Sequence, residues 1–193
     1  MTKEEIVISI SKNHLKFTDD CIQDFISYSN LLVLDKATTI VSEGQFADKT
    51  YFIAKGSARA YYLKDGKDIS DWFAFENDFI NSINSFYLNI PSPHFIETIE
   101  PSVLIEISRE NVLILSNKYQ EFDRLEKVIV TKTMLQLQQR IVSIQFETAQ
   151  QKYANLIKVR PDITLRVPLM HIASYLGITL ETLSRVRNPK NRI

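Results

Sequence analysis

The sequence predicts an α+β protein with an N-terminal antiparallel β-roll (jelly-roll-like), a long helix and a C-terminal helix-turn-helix. Three observations support this prediction. Short β-like runs separated by turn residues fill the first half of the chain, no Gly or Pro occurs from residue 121 to residue 153, and the segment 171–185 has the pattern of two short helices joined at a glycine. The predicted parts are residues 1–120, 121–145 and 146–193.

The composition is that of an ordinary globular protein, with 45% hydrophobic residues among 193 and equal numbers, 23 each, of basic and acidic residues. The single cysteine, Cys21, excludes an intrachain disulfide, a Cys-rich zinc site and a four-cysteine iron–sulfur cluster. Three widely separated histidines argue against a histidine metal site. The N-terminal residues do not have the pattern of a signal peptide, and no apolar run approaches the length of a membrane span. We therefore expect a cytoplasmic protein that does not act at a membrane.

Basic residues are concentrated near the C-terminus. Residues 152–193 contain eight Lys or Arg but only two Asp or Glu, so the rest of the chain has an excess of acidic residues. This asymmetry predicts that the C-terminal part binds a polyanion. A solvated basic tail without a partner would produce the same charge pattern.

The first part of the chain predicts a helix followed by many short strands. Thr18 is placed to cap a helix that begins with Asp19 and Asp20, and Asp65-Gly66 has the sequence of a hairpin turn. Short strands at this spacing indicate an antiparallel barrel or jelly roll. The predicted strands are Leu31–Leu34, Thr38–Val41, Tyr51–Ala54, Ala58–Leu63, Ile69–Phe75, Thr98–Ile99 and Val103–Ile107.

Ser108 and Glu110 predict a helix start before Val112–Leu115. The stretch from about Glu121 that lacks Gly and Pro carries two apolar stripes. The first consists of Phe122, Leu125 and Ile129. The second has the alternating spacing of a coiled coil and consists of Val130, Met134, Leu137, Ile141 and Ile144. Because a helix that is apolar on two sides needs two partners, we expect the β-roll to cover the first stripe and a second copy of the chain to cover the second. A plain buried core helix is the alternative.

The segment 171–185 has the pattern of a helix-turn-helix. Gly177 suits a tight turn because glycine adopts a positive φ without strain, and Thr179 is placed to cap the second helix. The inner faces of the two helices are apolar, at Ile172, Ala173, Leu176, Leu183 and Val186.

The outer face of the second helix carries side chains that suit DNA. A carboxylate accepts a hydrogen bond from cytosine N4, an arginine can bind guanine with two bonds, and the basic residues beyond suit phosphates. The predicted DNA-binding residues are Thr179, Glu181, Thr182, Ser184, Arg185, Arg187, Lys190 and Arg192. An ordinary pair of core helices is the alternative.

These motifs resemble the Crp/Fnr family of bacterial transcription regulators over nearly the whole chain. The matching residues are Glu43-Gly44, Tyr51–Gly56, Asp65-Gly66 and Trp72-Phe73 in the β-roll, and Val167–Leu169, His171–Ala173, Tyr175–Thr179 and Glu181–Arg185 in the helix-turn-helix. The resemblance implies a β-roll sensor domain, a dimerisation helix and a DNA-binding head. A homodimeric regulator of palindromic double-stranded DNA is therefore expected, with RNA polymerase and an unknown small-molecule effector as further candidate partners.

The cyclic-nucleotide pocket of that family is degenerate in this sequence. The family has a Gly-Glu pair and, about ten residues on, an Arg-Ser or similar pair around the cyclic phosphate. This chain has Asn81 and Ser82 at the first place and Pro93 and His94 near the second. No Arg or Lys occurs from residue 68 to residue 108, so a buried phosphate would lack a cation. We therefore expect no control by cyclic AMP, and we expect His94 to be a solvated loop residue.

The other cofactors of the family are not expected either. Cys21 alone cannot hold an iron–sulfur cluster, and we expect it to be a small buried hydrophobe. No His or Cys is placed to ligate haem. Many family members add a β-hairpin wing after the recognition helix, whereas here Pro189 ends the helix and leaves only Lys190–Ile193. The wing is thus predicted to be reduced or missing.

Two functions other than a DNA-binding regulator remain open. The first is a ligand-binding or protein-interaction β-roll whose DNA-binding head is vestigial. A recognition helix without Arg and Lys would favour this function, but the one in this sequence contains Arg185 and Arg187. The second is a cupin-type enzyme, which needs clustered histidines and carboxylates. Because His94 and His171 stand singly and no catalytic motif occurs, we do not expect an enzyme.

Overall fold

The computed structural model describes residues 1–188. Its strands are β1 (Ser29–Leu34), β2 (Thr39–Val41), β3 (Lys49–Lys55), β4 (Ala58–Lys64), β5 (Lys67–Ala74), β6 (Phe79–Asn81), β7 (Phe95–Thr98) and β8 (Ser102–Ser108). Its helices are α1 (Lys3–Asn13), α2 (Asp19–Tyr28), α3 (Ile83–Leu88), α4 (Arg109–Lys118), α5 (Gln120–Phe146), α6 (Ala149–Val159), α7 (Ile163–Arg166), α8 (Leu169–Leu176) and α9 (Leu180–Arg187). None of these helices is long and apolar enough to cross a membrane.

The chain forms two compact units. The first comprises residues 1–60 and 73–132, and the second comprises residues 61–72 together with the described residues from Thr133 onward. The second unit thus contains the end of the β4–β5 hairpin as well as the C-terminal helices. The predicted domains, which divide the chain at residues 120 and 145, place the whole hairpin with the β-roll. This division into domains stays a prediction.

The first unit contains the β-roll except for residues 61–72 of the β4–β5 hairpin, which belong to the second unit. One sheet has the strand order β1-β8-β3-β6 and the other has the order β2-β7-β4-β5. In the first sheet β8 pairs antiparallel with both β1 and β3, and β3 pairs antiparallel with β6. The predicted antiparallel β-roll is confirmed. The predicted strand Thr98–Ile99 is corrected to Phe95–Thr98, because Ile96 and Glu97 pair with β2 while the Ile99 N–H bonds to the Ser57 carbonyl outside the strands.

The helical core of the first unit lies against one face of the first sheet. Phe25 of α2 and Phe122 of α5 meet edge to face, with ring centroids 5.1 Å apart, and Leu125 is buried in the same cluster. Ile129 packs against its border. The first apolar stripe of the long helix is therefore covered by a cluster that contains residues of α2 as well as of the first sheet, whereas the β-roll alone was expected to cover it. Cys21 is also fully buried there, and burial raises the pKa of its thiol to about 12.

Local sequence signals define the ends of several helices. The side chains of Thr18 and Ser108 accept hydrogen bonds from backbone N–H groups in the first turns of α2 and α4, as predicted. Thr148 and Gln151 form a capping box at the start of α6, so the Gly- and Pro-free stretch is divided into two helices after Phe146. The turn between β4 and β5 has positive φ at both Asp65 and Gly66, the type I′ geometry that the Asp-Gly sequence predicted.

Candidate nucleic-acid interface and ligand pocket

Helices α8 and α9 form the predicted helix-turn-helix. Gly177 ends α8 with φ 65°, and the Ile178 N–H returns to the Ala173 carbonyl at 3.0 Å. A Cβ on Gly177 would meet nothing within 4 Å, so the positive φ alone makes glycine the favoured residue here. The Thr179 hydroxyl then accepts a hydrogen bond from the Thr182 N–H at 3.2 Å and caps α9.

The inner faces of the two helices are buried in the second unit. The side chains with little or no exposure are Ile163, Val167, Ile172, Ala173, Leu176 and Leu183. Val186 is half-buried. Ile163 belongs to the short helix α7, which was not predicted to be part of this core. Burial of Leu183 fixes the rotation of α9 about its axis, so the opposite face of α9 is directed outward.

The exposed face of α9 carries three of the predicted DNA-binding residues, Glu181, Ser184 and Arg185. Thr182 and Arg187 are half-buried, and the Thr182 hydroxyl accepts a hydrogen bond from the Thr179 hydroxyl at 3.2 Å. The backbone N–H of Glu181 itself and the Thr179 hydroxyl lower the pKa of the Glu181 carboxyl. Glu181 is therefore a carboxylate, able to accept hydrogen bonds, at neutral pH. Lys190, Arg192 and the predicted reduced wing lie outside the described residues.

A polar network joins α8 to the β4–β5 hairpin within the second unit. The Ser174 hydroxyl accepts from the Ser70 N–H at 2.7 Å and donates to the Asp68 carbonyl at 3.1 Å. His171 Nδ1 lies 3.9 Å from a carboxylate oxygen of Asp68. These contacts were not predicted, because a serine on a short amphipathic helix gives no sequence signal of a partner about one hundred residues away.

Arg140 of α5 completes this network. Its guanidinium donates to the Asp71 carbonyl, lies 3.6 Å from the Asp71 carboxylate and stacks 4.6 Å from the centre of the Tyr175 ring. One arginine thus contacts the hairpin and α8 together. The contacts orient the first helix of the helix-turn-helix relative to the hairpin strand.

The second apolar stripe of α5 is largely exposed in the single chain. Met134 and Ile141 are 59% and 56% exposed, Val130 and Ile144 are exposed to a similar degree, and Leu137 is half-buried. The plain core helix considered as an alternative would bury these side chains. Leu135, Val142 and Phe146 widen the exposed apolar surface.

The residues of the degenerate pocket lie where β6 ends and β7 begins. The Ser82 hydroxyl donates to the Ser92 hydroxyl at 2.8 Å, and the Ser92 hydroxyl donates to the His94 carbonyl at 2.7 Å. Asn81 and Pro93 are half-buried. The prediction that His94 is solvated is wrong, since its side chain is 6% exposed. The reason is that Ser92 exchanges backbone hydrogen bonds with Gly44 and Gln45, which hold the loop against the roll.

The β-roll also matches a known family. Residues 31–119 match the family model of the cyclic nucleotide-binding domain. A search of curated proteins gave no match.

Solved structures extend the likeness to the helices. FixK2 from Bradyrhizobium japonicum is 18% identical with a TM-score of 0.73, over 83% of both chains. The c-di-GMP-responsive global regulator CLP of Xanthomonas campestris is 17% identical with a TM-score of 0.70, over 90% of this chain and 91% of CLP. The catabolite activator protein of Thermus thermophilus is 17% identical with a TM-score of 0.57, over 90% of this chain and 84% of that one. The chain has the Crp/Fnr fold, and the predicted resemblance is confirmed.

The matched segment departs from the family pattern at the place where that family holds a cyclic phosphate. The pocket segment contains neither the Gly-Glu pair nor a Lys or Arg, and the hydroxyls of Ser82 and Ser92 bond to each other. A phosphate diester there would find no Lys or Arg within residues 68–108 to offset its desolvation. Within residues 1–188 no group of three or more His, Cys, Asp or Glu side chains could hold a metal ion.

Proposed function

We propose that the protein is a homodimeric, sequence-specific DNA-binding transcription regulator of the Crp/Fnr type that responds to a signal other than cyclic AMP. The observation that carries the proposal is the exposed face of α9, with the ionised Glu181 and Arg185 one turn apart on a helix whose inner face is buried. RNA polymerase is a candidate partner of such a regulator, and the cytoplasm is the expected compartment.

The geometry of α9 suits major-groove readout. In a helix-turn-helix the N-terminal residues of the second helix contact base edges. Glu181 and Ser184 in the first turns and Arg185 just beyond can act as acceptor and donors toward cytosine and guanine. The excess of basic residues in the C-terminal part supplies the phosphate contacts that provide most of the affinity, and Lys190 and Arg192 contribute to that excess.

The exposed stripe on α5 supports a dimer. Apolar side chains in coiled-coil spacing are buried when two helices associate, and a two-fold axis is the most common symmetry of homo-oligomers. Val130, Met134, Leu137, Ile141 and Ile144 are the proposed dimerisation residues. Two recognition helices about one DNA turn apart, roughly 34 Å, would require a palindromic site.

The test is binding of the full chain to DNA selected from a random duplex library, measured by fluorescence anisotropy at several salt concentrations. Arg185→Ala should cost about 1–3 kcal/mol on the selected duplex and relax its base preference. Lys190→Ala should weaken binding to selected and scrambled duplexes alike and reduce the salt slope by about one. The matched control is Arg124→Ala, which removes an exposed arginine of α5 in the first unit and should leave both affinities unchanged.

The second candidate is a β-roll module with a vestigial head. Arg185 and the charge of the C-terminal part speak against it, as does the description of similar structures as regulators. If the unaltered protein selects no duplex from the library, the vestigial-head function replaces the proposal. If Arg185→Ala weakens selected and scrambled duplexes equally, Arg185 is a phosphate contact and base readout must come from other residues.

A further inference from the structure

A cavity of about 270 Å³ lies in the first unit between strands β1, β2 and β3 and the loop before β3. None of its lining residues belongs to the degenerate nucleotide pocket at 81–94. Part of its wall is apolar, formed by Leu32, Leu34, Ile40, Val41 and Phe46, and polar and charged side chains form the rest. Pockets for drug-sized ligands begin at about 300 Å³, so this cavity suits a smaller molecule.

One wall of the cavity carries a nearly buried carboxylate. Glu106 lies on β8 opposite Asn30 of β1 and Tyr51 of β3. Its neighbours Ile105 and Ile107 point into the helical core on the other face of the sheet, so the alternation of a strand directs Glu106 toward the cavity. Glu106 is only 8% exposed.

The hydrogen bonds of Glu106 leave one of its oxygens available. Oε1 accepts from Lys49 Nζ at 2.9 Å and from Asn30 Nδ2 at 3.3 Å. Within residues 1–188 no bond to Oε2 is found. Oε2 is not among the buried side-chain atoms that lack a partner, so it is open to solvent and to a donor that enters the cavity. The Lys49 side chain is 43% exposed, which places this ion pair at the mouth of the cavity.

The charges lining the cavity favour a positive ligand. Glu106 and Asp48 are acidic and Lys49 is basic, so one negative charge is left over. Burial raises the pKa of the Tyr51 hydroxyl, and the negative charges of Glu106 and Asp48 raise it further. A monocation would bring the lining to neutrality, whereas an anion would add a second unbalanced negative charge.

We propose that this cavity binds a small amphipathic cation, a primary ammonium group on a short apolar body. The ammonium donates to Glu106 Oε2, and the apolar body lies among Leu32, Ile40 and Phe46. The ligand belongs to a chemical class opposite in charge to a cyclic nucleotide. The site is independent of the proposed DNA-binding function, and its test measures ligand binding without DNA.

The first experiment compares three probes of equal chain length by titration calorimetry on the full-length protein at neutral pH. We expect n-hexylamine to bind at least ten-fold more tightly than hexan-1-ol, and hexanoate not to bind. If hexanoate binds as tightly as hexylamine, or if hexylamine does not bind at concentrations up to about 10 mM, the proposal is overturned.

The second experiment uses variants that change the two charges separately. Glu106→Gln keeps the shape and an acceptor for Asn30, and it should weaken hexylamine binding at least ten-fold. Lys49→Met removes the ammonium that competes for Glu106, and it should tighten hexylamine binding several-fold. Glu43→Gln, an exposed glutamate that does not line the cavity, is the matched control and should have no effect.

The opposite response to the two variants distinguishes this site from nonspecific uptake by an apolar cavity. Weaker hexylamine binding in Lys49→Met would mean that the lysine attracts the ligand, which contradicts the proposal. If Glu106→Gln does not fold, the probe comparison and Lys49→Met decide the matter alone.

Discussion

The hydrogen bonds of Ser174 give a prediction whose size follows from burial. Ser174→Ala removes the acceptor of the Ser70 N–H and the donor to the Asp68 carbonyl. Ser70 is fully buried, so its N–H has no water to replace the lost bond. A buried donor left unsatisfied costs about 1–3 kcal/mol. Asp68 is half-buried and can find water, so we expect the total loss to stay within the same range.

The assay is urea unfolding followed by tryptophan fluorescence. The only tryptophan of the chain, Trp72, lies in β5 two residues after Ser70, so its signal reports on the hairpin that Ser174 contacts. Ser184→Ala is the matched control, because Ser184 is exposed on α9 and surface changes usually shift the free energy of unfolding by less than about 0.5 kcal/mol. A Ser174→Ala variant as stable as the Ser184→Ala variant would refute the reasoning that this hydroxyl holds α8 to the hairpin.

Three further predictions concern assembly, ligand and pH. Replacing Met134 and Leu137 with Glu should yield monomers in light scattering, because charges cannot be buried in an apolar interface; a monomeric unaltered protein at micromolar concentration would contradict the proposed dimer. Calorimetry should detect no cyclic AMP binding with a dissociation constant at or below about 10 μM. Burial lowers the pKa of His14, and the Lys132 ammonium adds to the effect. Protonation below about pH 6.5 therefore favours the unfolded chain, and the free energy of unfolding should fall from pH 7 to pH 5 in the unaltered protein but less in His14→Phe.

Elements defined by local chemistry could be predicted from the sequence. Thr18, Ser108 and Thr179 each precede a helix and bond to its first turn, and Asp65-Gly66 forms the turn for which this dipeptide is suited. Helix α1 was not predicted, although a signal was present. Thr2 and Glu5 form a capping box, which is recognisable as Thr-x-x-Glu in the sequence.

Elements stabilised by distant residues could not be predicted. Strand β6 has only three residues, and it exists because Ile80 pairs with Tyr51 of β3 in the sheet. The burial of His94 likewise depends on backbone bonds from Ser92 to the loop at 44–45. In the candidate interface, the direction of Arg185 could be inferred from the burial of Leu183, whereas the network of Ser174 and Arg140 depends on how the hairpin folds.

Charge within the β-roll determines which ligands it can accept. From residue 68 to residue 108 the chain has seven Asp or Glu and no Lys or Arg, so the segment that would surround a cyclic phosphate is acidic. Its carboxylates are paired with cations from elsewhere in the chain, as in Arg59 with Glu97, Lys132 with Asp78 and Lys49 with Glu106. An anionic ligand would have to compete with these carboxylates for the same cations, while an ammonium ligand competes with a lysine for a carboxylate. Because Lys49 is half exposed and can return to water at little cost, the second exchange is the easier one. The loss of the phosphate-binding residues and the acidic cavity at Glu106 therefore lead to the same expectation, that an effector of this β-roll carries a positive charge.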